Sequence, residues 1–281
     1  MPVLLRALFT LLLSTLVSLS QDDRPVVKET DLAPDQAPSK SLPTLWIAGD
    51  STVRNSGTMR GWGEDLPRFL DPAKIQVINR AIGGRSSRTF FSEGRWDKML
   101  AEMKPGDLVL IQFGHNDVGP LGAPGKFRGS IKGTGDETEV VEKPDGTRET
   151  VHSYGWYLRH YARTAKAKGT TVILCSPVPH KKFDREGKFV PDWTEWRTWV
   201  KSAADAESVL YLDLAHLIGT AYATMPPAEV EALFADKGTH TNHAGALFNA
   251  RHLIAGAGQL PASPLAPYLT PEGKAPTPAS P

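Results

Sequence analysis

Leu45-Trp46-Ile47-Ala48 is an apolar run that stops at Gly49-Asp50-Ser51, and this abrupt change constrains the chain more than any other stretch. Consecutive apolar residues closed by a small polar turn read as a strand buried on both faces, with its C-terminal end opening at the sheet edge. Open α/β sheets carry their reactive groups at such ends. Ser51 is therefore a candidate nucleophile. A serine hydroxyl reacts poorly until a base removes its proton and N–H donors receive the developing oxyanion, so a histidine and a set of donors are needed elsewhere.

The same signature recurs along the chain. A second strand is expected from Lys74 to Ile82, running into Gly83-Gly84-Arg85-Ser86, and a third from Asp107 to Gly114, discharging into His115-Asn116-Asp117. Further strands are expected at 170–178 and 209–214. Helical patterns fill the gaps at 61–70, 93–103, 154–165, 192–204, 228–234 and 242–257. Strand alternating with helix predicts an α/β three-layer sandwich around a five-stranded parallel sheet. Ser51, Gly84, Asn116 and the segment around His240 would then meet at one edge. Residues 119–150 are Gly-rich and charged, with a plausible hairpin inside, and form a candidate lid.

With 281 residues, 40% hydrophobic content and a formal charge of +1, the chain can bury one substantial core. Its balance gives no global reason to expect nucleic acid or an anionic membrane as partner. Residues 1–20 hold one basic residue, Arg6, an apolar stretch and small residues at Ser18 and Ser20, the pattern of a secretory signal peptide. An uncleaved membrane anchor is the competing reading, although the stretch falls short of the roughly 20 residues that a spanning helix needs. A secreted or periplasmic protein without stable membrane insertion is expected. Residues 21–40 read as a flexible lead-in and 41–259 as one catalytic domain, while seven prolines in the final 21 residues predict an extended, disordered tail over 260–281. The single cysteine, Cys175, sits in an apolar strand-like run and is expected to be buried and inert.

Taken together, Gly49-Asp50-Ser51, Gly83-Gly84-Arg85-Ser86, Gly114-His115-Asn116-Asp117 and the late pair Asp236 and His240 stand in the order and approximate spacing of the SGNH (GDSL) hydrolases. Gly61-Trp62-Gly63-Glu64, Tyr154-Gly155-Trp156-Tyr157-Leu158-Arg159 and His240-Thr241-Asn242-His243-Ala244-Gly245-Ala246 make the chain most similar to the rhamnogalacturonan acetylesterase branch. This resemblance spans about 42–257. It implies a flavodoxin-like SGNH hydrolase fold and a secreted serine esterase that removes O-acetyl groups from plant cell-wall polysaccharide, acetylated rhamnogalacturonan or pectin first. Carried over residue by residue, it makes Ser51 the nucleophile, His240 the general base and then acid, and Asp236 the group that orients His240. The backbone N–H groups of Ser51 and Gly84 and the side-chain amide of Asn116 would form the oxyanion hole. Arg85, His115 and Trp156 are candidate substrate-binding residues. No metal or organic cofactor is implied, and the expected partner is an acetylated acidic polysaccharide.

Several alternatives stay open at this level. The family pattern has two residues between Asp and His, whereas Asp236-Lys-Gly-Thr-His240 has three. Gly238 could absorb the extra residue in a bulged or left-handed turn; otherwise Asp236 caps the turn, and a carbonyl or water orients His240. Gly83 competes with Gly84 as oxyanion donor, and His115 reads as structural or substrate-facing. Arg54, Arg60, Arg85, Arg88, Lys181 and Lys182 are either solvated loop charge or a site for a polyanionic sugar. The Trp193, Trp196 and Trp199 stripe reads as core packing rather than a sugar platform. The rival functions are a metal-dependent hydrolase drawing on His115, Asn116, Asp117, His240 and His243, and a non-catalytic carbohydrate-binding protein. Nothing in the sequence bears on oligomeric state.

Overall fold

The computed structural model describes Leu32 and residues 36–276. The segment read as a secretory signal and the last residues of the proline-rich tail lie outside the described residues. The strands are β1 (Thr44–Gly49), β2 (Gln76–Asn79), β3 (Leu108–Gln112), β4 (Thr138–Glu142), β5 (Arg148–His152), β6 (Thr171–Cys175) and β7 (Leu210–Leu212). Five of them form one parallel sheet in the order β2-β1-β3-β6-β7, and β4 and β5 form a separate antiparallel hairpin. The helices are α1 (Trp62–Asp65), α2 (Ser87–Ser92), α3 (Arg95–Glu102), α4 (Tyr154–Ala167), α5 (Thr194–Glu207), α6 (Leu214–Thr224), α7 (Pro227–Glu231), α8 (His243–Ala257) and α9 (Pro271–Lys274). Among the described residues no helix is long and apolar enough to cross a membrane.

Alternation along the strands builds two cores. Leu45 and Ile47 of β1, Leu108 and Leu110 of β3, and Ile173 and Cys175 of β6 pack toward α1, α6 and α8. Their neighbours Trp46, Ala48, Val109, Ile111, Val172 and Leu174 pack on the other face, against α2, α3, α4 and α5. Strands covered on both sides must be apolar throughout, which is why these runs are nearly unbroken. The Trp193 and Trp196 rings are buried, as expected of core packing, and Cys175 is buried with its thiol pKa raised well above normal by desolvation.

This layering positions the site through the point where strand order reverses. The chain runs outward from β1 to β2 and then crosses back to β3 on the other side of β1, so the C-terminal ends of β1 and β3 flank a crevice. Register pairs Gly49 with Gln112. Ser51 and Asn116 therefore leave neighbouring strands at the same edge.

Two expectations need correcting, and one element is new. The tail is ordered well past Leu260: Leu269 bridges to Leu70, Asp71 N–H donates to the Tyr268 carbonyl over 2.7 Å, and Glu272 pairs with Arg68 and Arg251. Pro267 and Pro271 sit at the starts of short helical turns, where a missing N–H costs nothing, so proline here initiates structure. The described end of the lead-in is also tied down, by Gln76 Nε2 to the Ala37 carbonyl at 3.0 Å and Lys104 Nζ to the Ser39 carbonyl at 2.9 Å. Finally, α6 was not expected, because Leu214–Thr224 is apolar on most of its circumference and shows no amphipathic period.

Candidate active site

The turn after β1 is set by Asp50. Its carboxylate Oδ1 accepts from the Thr52 N–H at 2.9 Å and the Thr52 hydroxyl at 2.7 Å, while its carbonyl accepts from the N–H groups of Val53 and Arg54, both at 3.1 Å. Gln112 Nε2 donates to Thr52 Oγ1 at 2.7 Å, and Trp62 Nε1 donates to Gln112 Oε1 at 2.7 Å. This buried chain fixes the backbone that carries Ser51. The Ser51 hydroxyl is left facing the edge, at 2.8 Å from His240 Nε2.

His240 comes from the loop between α7 and α8, closed by Ala235 N–H donating to the His240 carbonyl at 2.9 Å. Asp236 Oδ2 lies 2.6 Å from His240 Nδ1. Asp236 Oδ1 accepts from the N–H groups of Gly238, Thr239 and His240 at 2.9, 2.8 and 3.0 Å. The three-residue spacer thus wraps around one carboxylate oxygen and leaves the other for the ring. Both readings of Asp236, turn cap and ring partner, hold together. Burial alone would raise its pKa, but the ring and the three N–H groups outweigh burial and hold the carboxyl well below the usual carboxylate range. Of the bulged or left-handed turn offered for Gly238, the left-handed form is not the one adopted. Gly238 is needed because a Cβ there would stand 2.9 Å from the Lys181 carbonyl oxygen.

Gly84 does lie in the left-handed region, at φ +79°. Arg85 N–H reaches back to the Ile82 carbonyl at 3.4 Å, so Gly83 and Gly84 are the central residues of a turn whose third position favours glycine. Ile82 N–H donates to the Gly49 carbonyl at 3.1 Å, which ties this turn to the one carrying Ser51. Asn116 Nδ2 donates to the Arg85 carbonyl at 2.8 Å, and its second amide hydrogen has no acceptor among the described residues. Ser51 and Asn116 are 8% and 7% exposed, enough to meet a small group and too little to be freely solvated. An arrangement of this kind can pass a hydroxyl proton to an imidazole held by a carboxylate, beside an uncharged amide donor.

Comparison with known proteins gives the family. The model of the GDSL-like Lipase/Acylhydrolase family matches residues 47–247. The chain belongs to the GDSL-like lipase/acylhydrolase family. It is 32% identical over 209 residues to a rhamnogalacturonan acetylesterase of Emericella nidulans, covering 74% of this chain and 82% of the relative. It is 35% identical to a probable rhamnogalacturonan acetylesterase, YesY, of Bacillus subtilis, covering 60% of this chain and 69% of the relative. Among solved structures, the Bacillus subtilis protein YxiM superposes with a TM-score of 0.62 at 29% identity, covering 78% of this chain and 57% of that one. An acetylxylan esterase of Geobacillus stearothermophilus shares the fold, with a TM-score of 0.53 at 22% identity over 77% of this chain and 94% of that one. This GDSL-like hydrolase is a carboxylic ester hydrolase.

The three residues expected to bind substrate in the GDSL-like hydrolase each make contacts within the protein. His115 has a side chain only 3% exposed, packed 3.4 Å from Asp50 Oδ2 with Nε2 at 3.1 Å from the Val178 carbonyl. Burial lowers its pKa against the pull of Asp50. Trp156 is half-buried and lies nearly parallel to the rings of His152 at 3.7 Å and His160 at 5.4 Å. Arg85 pairs with Glu93 at 3.0 Å and bonds the Gly83 carbonyl at 3.2 Å, bracing the glycine turn.

The residues of the metal-dependent alternative also diverge. His115 faces Asp50, Asp117 accepts from Ser87 and Ser130, His240 faces Ser51 and Asp236, and His243 lies 3.3 Å from Asp65. Among the described residues no cluster of three His, Cys, Asp or Glu side chains is placed to hold a metal ion. Asn55 was missed in the sequence, and the contacts of Asp117 were not foreseen. Asn55 donates its amide to the Ser51 carbonyl at 3.1 Å and lines a cavity of about 670 Å³ beside the loop that follows Ser51. Asp117 holds the start of α2 through Ser87. No spacing rule in the sequence signals either contact.

Proposed function

We propose that this protein is a serine acetylesterase acting on acetylated rhamnogalacturonan or a closely related acidic pectic polymer, with Ser51, His240 and Asp236 as its catalytic triad. The observation that carries the reading is the 2.8 Å contact from Ser51 Oγ to His240 Nε2, continued to Asp236 at 2.6 Å. Two curated relatives named for rhamnogalacturonan acetylesterase activity support the substrate.

In the first half-reaction, Ser51 Oγ attacks the acetyl carbonyl while His240 Nε2 takes the hydroxyl proton. The carbonyl oxygen becomes an oxyanion received by the N–H groups of Ser51 and Gly84 and the amide of Asn116. Collapse breaks the bond to the sugar oxygen, which leaves as the alcohol with the proton from His240, and acetyl-Ser51 remains. Water, deprotonated by His240, then releases acetate and restores the hydroxyl. Asp236 stabilises the imidazolium in both halves and keeps Nδ1 as the protonated nitrogen. Each step balances without a redox partner.

Acetate release from acetylated rhamnogalacturonan, compared with acetylated xylan, tests the substrate. The rhamnogalacturonan is expected to be preferred, and Ser51→Ala and His240→Ala to abolish release from either. Activity that survives a chelator and is lost to a serine-directed organophosphonate would separate this mechanism from the metal-dependent one. Export through residues 1–20 is part of the proposal, supported by their signal-like pattern and checked by sequencing the N-terminus of the mature protein.

A further inference from the structure

We propose that the hairpin over residues 181–190 is a polyanion-binding arm beside the reaction centre, in which Lys182, Arg185 and Lys188 take carboxylates of the acidic polymer; the proposal rests on the substrate reading above.

The basic residues singled out in the loops after the strands sort sharply. Arg60 pairs with Asp65 at 2.8 Å, Arg85 with Glu93 at 3.0 Å, Arg88 with Glu149 at 2.9 Å and Lys181 with Glu231 at 2.6 Å. Arg54 Nη1 donates to the Asn79 carbonyl at 3.0 Å. These five brace the fold. Lys182 is exposed, and its side chain makes no ion pair or hydrogen bond among the described residues; the same holds for Arg185 and Lys188 on the same hairpin.

The hairpin is built, not merely a solvated loop. Asp184 N–H donates to the Lys188 carbonyl at 2.9 Å and Val190 N–H to the Lys182 carbonyl at 2.8 Å. Asp184 Oδ1 accepts from the N–H groups of Glu186 and Lys188 at 3.0 and 2.8 Å, so this carboxylate serves the turn. Phe183 and Phe189 bridge across the hairpin with rings 6.0 Å apart, and Phe189 packs on Tyr222 at 5.6 Å. Alternation then sends Lys182 and Lys188 away from the phenylalanine side, into solvent.

Its root is fastened at the site. Lys181 N–H donates to the Gly238 carbonyl at 2.8 Å, inside the loop that carries His240. His180, one residue earlier, pairs with Asp192 at 2.6 Å, stacks on Trp193 at 5.0 Å and meets the ring of His115 at 5.0 Å, next to Asn116. Three unpaired cations thus project from a rigid element rooted between the candidate base and the amide donor. Each exposed cation contributes little alone, and salt screens it. A polymer with a carboxylate on repeating sugars meets all three at once, and a neutral polymer gains nothing from them.

The test uses the full chain and the triple variant Lys182→Gln, Arg185→Gln, Lys188→Gln, which leaves Asp184 and the phenylalanines in place. Migration is measured in native gels cast with polygalacturonate or with dextran. The wild type should be retarded by polygalacturonate only, the retardation should vanish at raised salt, and the variant should run alike in both gels. KM for the acetylated acidic polymer should rise about ten-fold in the variant relative to its change on acetylated xylan. Equal retardation of both proteins, or no retardation of the wild type, overturns the arm. Retardation of the wild type without acetate release from rhamnogalacturonan leaves the arm standing and sinks the substrate reading instead.

Discussion

Arg60 and Thr241 are joined by two hydrogen bonds: the Arg60 N–H donates to the Thr241 carbonyl over 2.8 Å, and the Thr241 hydroxyl donates to the Arg60 carbonyl over 2.7 Å. The partners are 181 residues apart in the chain. They fasten the loop that follows Ser51 to the residue after His240, so the distance between hydroxyl and imidazole depends on them. Thr241→Val keeps the volume and removes the donor, leaving a carbonyl short of a partner. It should cost about 1 kcal/mol of stability. It should also lower kcat by about ten-fold, because small errors in the positions of reacting groups are expensive. Thermal melting and steady-state kinetics check both, and an unchanged kcat would mean the two loops are aligned by other contacts.

Asp236→Asn removes a carboxylate that accepts one ring and three backbone hydrogen bonds. The amide cannot stabilise an imidazolium, and it presents an NH2 group where an acceptor is needed, so kcat should fall by at least about a thousand-fold. Stability follows by linkage. The folded carboxyl sits below its free value of about 3.9, so the ionised form favours the fold; that stabilisation is complete above about pH 4 and is lost as pH falls further. Melting curves of wild type and variant should differ most near neutrality and converge in acid. A constant gap across that range would count against the carboxylate as a stabilising group.

How much of this was legible follows the kind of contact involved. The ends of β1 and β3 could be read because a strand covered on both faces must be apolar and must stop where polar groups begin, so Ser51 and Asn116 announce themselves. His240 could be placed only by its resemblance to a family, since nothing local ties Asp236-Lys-Gly-Thr-His240 to Gly49-Asp50-Ser51. The neighbours of Trp156 were illegible because its stacking on His152 and His160 depends on how β5 meets α4. For His115 the sequence left a structural and a substrate-facing reading open, and only the fold shows its ring turned inward to Asp50. Pro267 and Pro271 start helical turns, where proline content after Leu260 predicts an extended tail. Local pattern gives most elements and roughly where they end; which side chains are already spoken for is a tertiary question.

Asp117 gives a pH dependence of the opposite sign. Its carboxylate is fully buried, with Ser87 N–H at 3.1 Å and the Ser130 hydroxyl at 2.6 Å, and burial pushes its pKa up to about 6 against those hydrogen bonds. A carboxyl that holds its proton more tightly folded than unfolded makes stability fall as pH rises from about 4 to about 6. Asp117→Asn removes that titration. Over this interval the variant's melting temperature should decline less steeply than the wild type's. Parallel slopes would show that the carboxyl ionises inside the fold as easily as in water.

Asn116 separates loss of a donor from addition of a charge. Its amide spends one hydrogen on the Arg85 carbonyl at 2.8 Å, which leaves the other for a developing oxyanion. Asn116→Ala removes both, so kcat should fall by about 100- to 1000-fold, with some contribution from a loosened glycine turn. Asn116→Asp is nearly isosteric yet loses both donors and sets a negative charge where a negative charge develops, so it should be slower than the alanine variant. If loosening of the turn were the whole effect, the two variants would be equally slow, because neither keeps the bond to Arg85. Protonating the introduced carboxyl restores a donor and removes the repulsion, so the ratio of Asp to Ala variant activity should rise on acidification. Acetate release by the two variants, measured side by side across pH, decides between an oxyanion donor at position 116 and a structural one.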